Sequence, residues 1–142
     1  MFVRKQGKTK FMYLPVTVST TFSEGGLVSL DSGYLIETTS TTAGTSTIGV
    51  IRHAITAADD DYATARSVEV EVPVEKNVIW TAGVTSGLVA ADVGLYQDLT
   101  SNLIVNRAAS TYDIVMCTKV LSTTKGEFIL NIGPESLGVV SD

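Results

Sequence analysis

Acid–base or nucleophilic chemistry in this chain would have to start from His53, its only histidine, because a hydroxyl or thiol nucleophile needs a base that titrates near neutrality. His53 stands between Arg52 and Ala54 in a stretch that reads as a strand, so a structural or surface role is expected of it. Cys117, the only cysteine, ends the apolar run Ile114-Val115-Met116-Cys117. It reads as a small core residue rather than a reactive thiol. One cysteine also excludes an internal disulfide and fits assembly in a reducing cytoplasm. A zinc site needs three or four His, Cys or carboxylate ligands. The single carboxylate cluster, Asp59-Asp60-Asp61, lacks the alternate spacing, central glycine and distal glutamate of a calcium loop, and reads as a solvated turn or helix start. Gly25-Gly26 lacks the Lys-Ser/Thr ending of a phosphate loop, and Gly83 and Gly87 lack dinucleotide spacing. Trp80 is the only tryptophan, too little for a sugar platform beside paired carboxylates. The expectation is a chain with no catalytic residues, no cofactor and no metal.

Binding is the chemistry that the charge pattern favours. Four of the ten cations, Arg4, Lys5, Lys8 and Lys10, fall in the first ten residues. The remainder carries six cations against all fifteen acids, a net −9. Blocks of like charge stay solvated and act as interaction tails, and here apolar residues flank the block, Phe2 before it and Phe11, Tyr13 and Leu14 after it. Ten extended residues span roughly 33–36 Å, enough to reach a neighbouring subunit. Residues 1–18 are therefore expected to form an extended N-terminal arm that binds a partner through Phe2, Arg4, Lys5, Lys8, Lys10, Phe11, Tyr13 and Leu14. With an overall charge of −5, direct nucleic-acid binding is not expected. No apolar run approaches the length of a membrane span, and the basic start is not followed by the apolar stretch of a signal peptide. No membrane association or export is expected.

The elements that must position these residues read as all-β. Thr, Val and Ile make up about a third of the chain, and branching at Cβ suits a pleated surface better than a helix. At 142 residues the chain fits one ordinary domain that buries roughly two-thirds of its unfolded surface. The β domain is placed at residues 19–132, with a loose tail at 133–142. Pro15 marks an edge or a hinge between arm and body. A hairpin is expected over residues 27–37 around Asp31-Ser32-Gly33. An exposed Thr/Ser loop follows at 38–47, then a strand from Ile48 toward Ile55, in which Gly49 suggests a bulge or a close backbone approach. Residues 56–65 read as a short helix with Asp59 near its cap. Residues 67–74 alternate, with Val68, Val70, Val72 and Val74 on one face and Glu69, Glu71 and Pro73 on the other, so one wet face is expected. After a short strand at 77–80 comes a second hairpin, at 93–105, which loosely echoes the first over a stretch too short to establish a repeat. A last strand pair, 114–121 and 127–132, closes the chain.

The order of these features resembles the small head decoration, or cement, proteins of tailed bacteriophages. The resemblance rests on the Gly-rich hairpin start Gly25-Gly26-Leu27-Val28-Ser29-Leu30-Asp31-Ser32-Gly33, the strand Ile48-Gly49-Val50, the segment Ala91-Asp92-Val93-Gly94-Leu95-Tyr96 and the closing strand at 127–132. It covers residues 22–132 and brings no catalytic residue with it. It implies a small antiparallel β-barrel or β-tulip-like domain, a homotrimer, with the major capsid protein as partner. Such a protein sits on the outer surface of the virion capsid, is assembled in the host cytoplasm and stabilises the shell. Two other expectations are kept beside it: a different β-rich virion component such as a fibre or tail part, and a small trimeric β-barrel enzyme.

Overall fold

A computed structural model gives the architecture and describes residues 1–40 and 47–131. Eleven strands follow one another: β1 (Val3–Gln6), β2 (Thr9–Pro15), β3 (Leu27–Asp31), β4 (Tyr34–Glu37), β5 (Thr47–Ile51), β6 (Ser67–Pro73), β7 (Ile79–Val84), β8 (Tyr96–Ser101), β9 (Ile104–Asn106), β10 (Val115–Ser122) and β11 (Lys125–Leu130). Among the described residues the only helical element is a 3₁₀ turn, Ala90–Asp92. The fold is all-β, as the abundance of β-branched residues requires. Strands β7-β11-β10-β8-β9 form a closed five-stranded barrel, because β9 returns to pair in parallel with β7 at Gly83↔Ile104 and Val84↔Val105. Strands β2-β6-β5-β3-β4 form a second sheet, curled until a parallel bridge between Val16 and Leu35 joins its two ends.

These two units repeat one topology. In each, the first strand pairs with the fifth, the second and third form a hairpin, the second also pairs with the fourth, and the fourth pairs with the fifth. The register repeats as well: Met12↔Val70 matches Trp80↔Phe128, and Tyr13↔Glu69 matches Thr81↔Glu127. At the closure, Thr17 donates its backbone N–H to Leu35 at 3.1 Å, and Thr85 donates to Val105 at 2.9 Å. The backbone N–H of Gly25 meets the carbonyl of Ile51 at 2.8 Å, as that of Gly94 meets Cys117 at 2.8 Å. Both glycines hold positive φ, 79° and 86°, a conformation that costs other residues. The faint echo between the two hairpins thus belongs to a repeat of the whole five-strand unit.

Each barrel has its own core. Val16, Phe22, Val28, Leu35, Ile51 and Val70 fill the first, and Trp80, Leu99, Ile114, Cys117 and Phe128 the second. Leu27 and Val50 belong to first-barrel strands but pack into the second core, which joins the two units. Gly49 marks a close approach: a Cβ there would stand 2.3 Å from the carbonyl oxygen of Glu71.

Three expectations change. The segment read as a free, extended arm is strand throughout most of its length, β1 pairing with β7 and β2 with β6. The reason is burial and pairing: Phe2, one of the apolar residues expected to anchor a partner, is 0% exposed and finds an intramolecular seat in the second core. Residues 56–65 form turns rather than a helix, because Arg66 ties back the carboxylates of Asp59, at 2.8 Å, and Asp61. The face of β6 carrying Glu71 is wet only at its start: Ser67 is exposed and Glu69 half-exposed, but Glu71 is 4% exposed and Pro73 is buried. Parity located its face correctly, but parity does not reveal what covers a face. The expected tail at 133–142 and the part of the Thr/Ser loop at 41–46 lie outside the described residues.

Candidate partner-binding surface

The eight residues expected to bind a partner separate into two groups. Phe2, Arg4, Lys5 and Leu14 serve the fold. Phe2 is fixed by its own backbone N–H, which donates to Gly25 O at 2.7 Å, and Leu14 packs half-buried against the first core. Arg4 Nε donates to Glu71 Oε2 at 2.9 Å, and Lys5 pairs with the buried Glu127. Arg52 Nε donates to Glu71 Oε1 at 2.9 Å, and Thr9 Oγ1 donates to Oε2 at 2.7 Å. Glu71 therefore joins β1, which belongs to the second barrel's sheet, to β2 and to the end of β5. Burial pushes the Glu71 carboxyl up, but the hydrogen bonds of Thr9, Arg52 and Arg4 and the charge of Arg52 outweigh it and hold the group below the usual glutamate range.

Lys8, Lys10, Phe11 and Tyr13 form the second group, and all four are exposed. Alternation along β2 puts Phe11 and Tyr13 on one face, where they stand 55% and 70% exposed. The strand beneath them is held along one side, since every residue from Thr9 to Pro15 is in register with β6. Tyr13 Oη donates to Glu69 Oε2 at 3.3 Å. Among the described residues, neither Lys8 nor Lys10 forms an ion pair, whereas Arg4, Lys5, Arg52, Arg66 and Arg107 all do. Phe11 and Tyr13 on one face of this paired strand suit contact with an apolar protein surface, and the ammonium groups of Lys10, on its other face, and of Lys8, just before it, suit an acidic rim.

Beside Tyr13 lies an open cleft of about 380 Å³ lined by Arg52, His53, Arg66, Ser67, Val68 and Glu69. Both arginines in it are committed to carboxylates. His53 is exposed in the bend after β5 rather than within the strand, and hydrogen-bonds to no nucleophile among the described residues. Asp59 and Asp61 are held below the usual aspartate range, Asp59 first by the Thr56 backbone N–H and Asp61 first by Arg66. Among the described residues no three His, Cys, Asp or Glu side chains are grouped to hold a metal ion. Cys117 is buried, and burial pushes its thiol up, away from the reactive thiolate.

Sequence reasoning missed Glu71 and Glu127 as the acids that claim the N-terminal cations. A signal existed, since Glu69, Glu71 and Glu127 all sit within β-patterned stretches. In comparisons with known proteins, no family model and no curated protein matches the chain.

Proposed function

We propose that this chain is a binding protein of the virion that docks on the outer surface of an assembled phage capsid and stabilises it, with the major capsid protein as its partner and a homotrimer as its working form. The observation that carries this reading is the exposed pair Phe11 and Tyr13 on one face of strand β2, with exposed Lys10 on the same strand and exposed Lys8 just before it. The resemblance of residues 22–132 to capsid decoration proteins supports it. Aromatic side chains on a preformed strand lose little conformational freedom on binding, which favours attachment to a fixed lattice.

Cosedimentation of the purified protein with purified expanded capsids tests the reading. The double substitution Phe11→Ser with Tyr13→Ser is expected to leave the fold intact and to weaken attachment at least tenfold, in a way that added salt does not reproduce. Lys8→Ser with Lys10→Ser is expected to weaken it less, and chiefly at low ionic strength. Absence of the unaltered protein from the capsid pellet would refute the reading.

A further inference from the structure

The two barrels differ at one edge. In the second, β7 carries β11 along one side, and the other side is shared between β9 at Gly83 and Val84 and β1 at Ile79, Trp80 and Thr81. In the first, the equivalent strand β2 carries β6 along one side. Its other side meets β4 only at Val16 and Thr17. Phe11, Met12 and Tyr13, which match Ile79, Trp80 and Thr81, have no strand beside them on that side among the described residues. Among the described residues, the seat that β1 fills on one barrel is open on the other.

Burial follows the same difference. Trp80 and Ala82, covered by the strand that β1 forms, are buried, and Phe2, one step along the ladder from the Val3↔Thr81 pair, falls beside Ala82. Their matches Met12 and Leu14 are only half-buried, packed against the first core from inside with no counterpart of Phe2 over them. Lys10 shares their face of β2, is exposed and lacks an ion pair among the described residues.

We infer that the open edge of β2 accepts an extended strand from another protein, added antiparallel as β1 is added to β7, with the alternating pattern apolar, any residue, apolar, any residue, acidic. The first apolar side chain covers Leu14 as Phe2 covers Ala82, the second covers Met12, and the carboxylate meets Lys10. Backbone hydrogen bonds supply the affinity and the alternate side chains the selectivity. The partner's residues on the opposite face lie next to Phe11 and Tyr13, where β-branched side chains make favourable cross-strand pairs. The inference stands on the comparison of the two barrels and does not need the partner to be a capsid subunit.

The test uses the full chain and a fluorescein-labelled, terminally blocked peptide Val-Thr-Val-Thr-Glu, with Val-Thr-Val-Thr-Lys as its counterpart. Saturable anisotropy binding is expected, at least threefold tighter for the Glu peptide, together with slowed amide exchange in β2. In the Lys10→Glu variant, checked for an unchanged melt, the preference between the two peptides should invert. No saturable binding to the folded protein, or a preference unmoved in Lys10→Glu, overturns the proposal. So does concentration-dependent self-association that protects the same β2 amides, since the seat would then belong to a second copy. Because no capsid enters this experiment, its failure leaves the capsid reading to its own assay.

Discussion

Phe2→Ala removes the side chain that binds the N-terminal strand to the second barrel. Phe2 is 0% exposed and packs in one cluster with Trp80, Leu99 and Phe128. Truncating a buried phenylalanine costs about 3–5 kcal/mol, through lost transfer energy and the cavity left behind. For a chain of 142 residues, an unfolding entropy of roughly 2.1 cal/mol/K per residue gives about 0.3 kcal/mol/K, so the midpoint should fall by about 10–17 °C. The structure also sets a ceiling on that loss. Once the cavity costs more than undocking β1, the strand detaches, and the contacts of Arg4 with Glu71 and of Lys5 with Glu127 go with it. Deleting residues 1–6 should therefore cost no less than Phe2→Ala. Thermal melts followed by circular dichroism measure the shift, and amide exchange at β1 and β7 distinguishes a local detachment from global loss. Tyr13→Ser, at an exposed position on the next strand, is the control and should stay within about 0.5 kcal/mol. A fall of less than about 3 °C for Phe2→Ala would mean that the N-terminal segment is a peripheral arm and that its burial is not energetically significant.

Glu71→Gln should cost about 2 kcal/mol in denaturant titration, below the roughly 3–5 kcal/mol typical of a broken buried pair, because Arg4 and Arg52 are partly exposed and can rehydrate. Glu69→Gln, on the same face but half-exposed, should stay within about 0.5 kcal/mol, and equal costs for the two would refute the assignment of Glu71 as the junction. The pH dependence has a definite sign: the folded Glu71 carboxyl is held below its usual range, so its contribution is fully present above the unfolded value of about 4.3 and is lost as pH falls through the lower folded value. Melting midpoints of the unaltered protein and Glu71→Gln, measured from neutral to acid pH, should therefore converge on acidification, and a gap that widens would contradict the sign.

Local patterning made much of the fold legible and long-range pairing hid the rest. The hairpin at β3 and β4, the buried valines of β6 and the tight approach at Gly49 follow from residue type and spacing, because alternation and turn chemistry act over a few residues. The N-terminal segment did not follow, since its partners are distant in sequence: Phe2 meets a core assembled mainly from residues beyond 78, and Arg4 meets Glu71. A run of cations looks the same whether it faces water or a set of acids that the fold brings alongside. Residues 56–65 misled for a related reason, as the acids that suit a helix start also suit a turn clasped by Arg66. The repeat escaped because register, not identity, carries it: Met12 and Trp80 occupy one position, as do Ile51 and Cys117, and only small identities such as Val16-Thr17 with Val84-Thr85 survive at the closure. This repeat also accounts for the division among the eight expected binding residues. The same chain end that completes one barrel leaves the matching edge of the other uncovered among the described residues, so Phe2 becomes core while Phe11 and Tyr13, on the next strand, stay exposed.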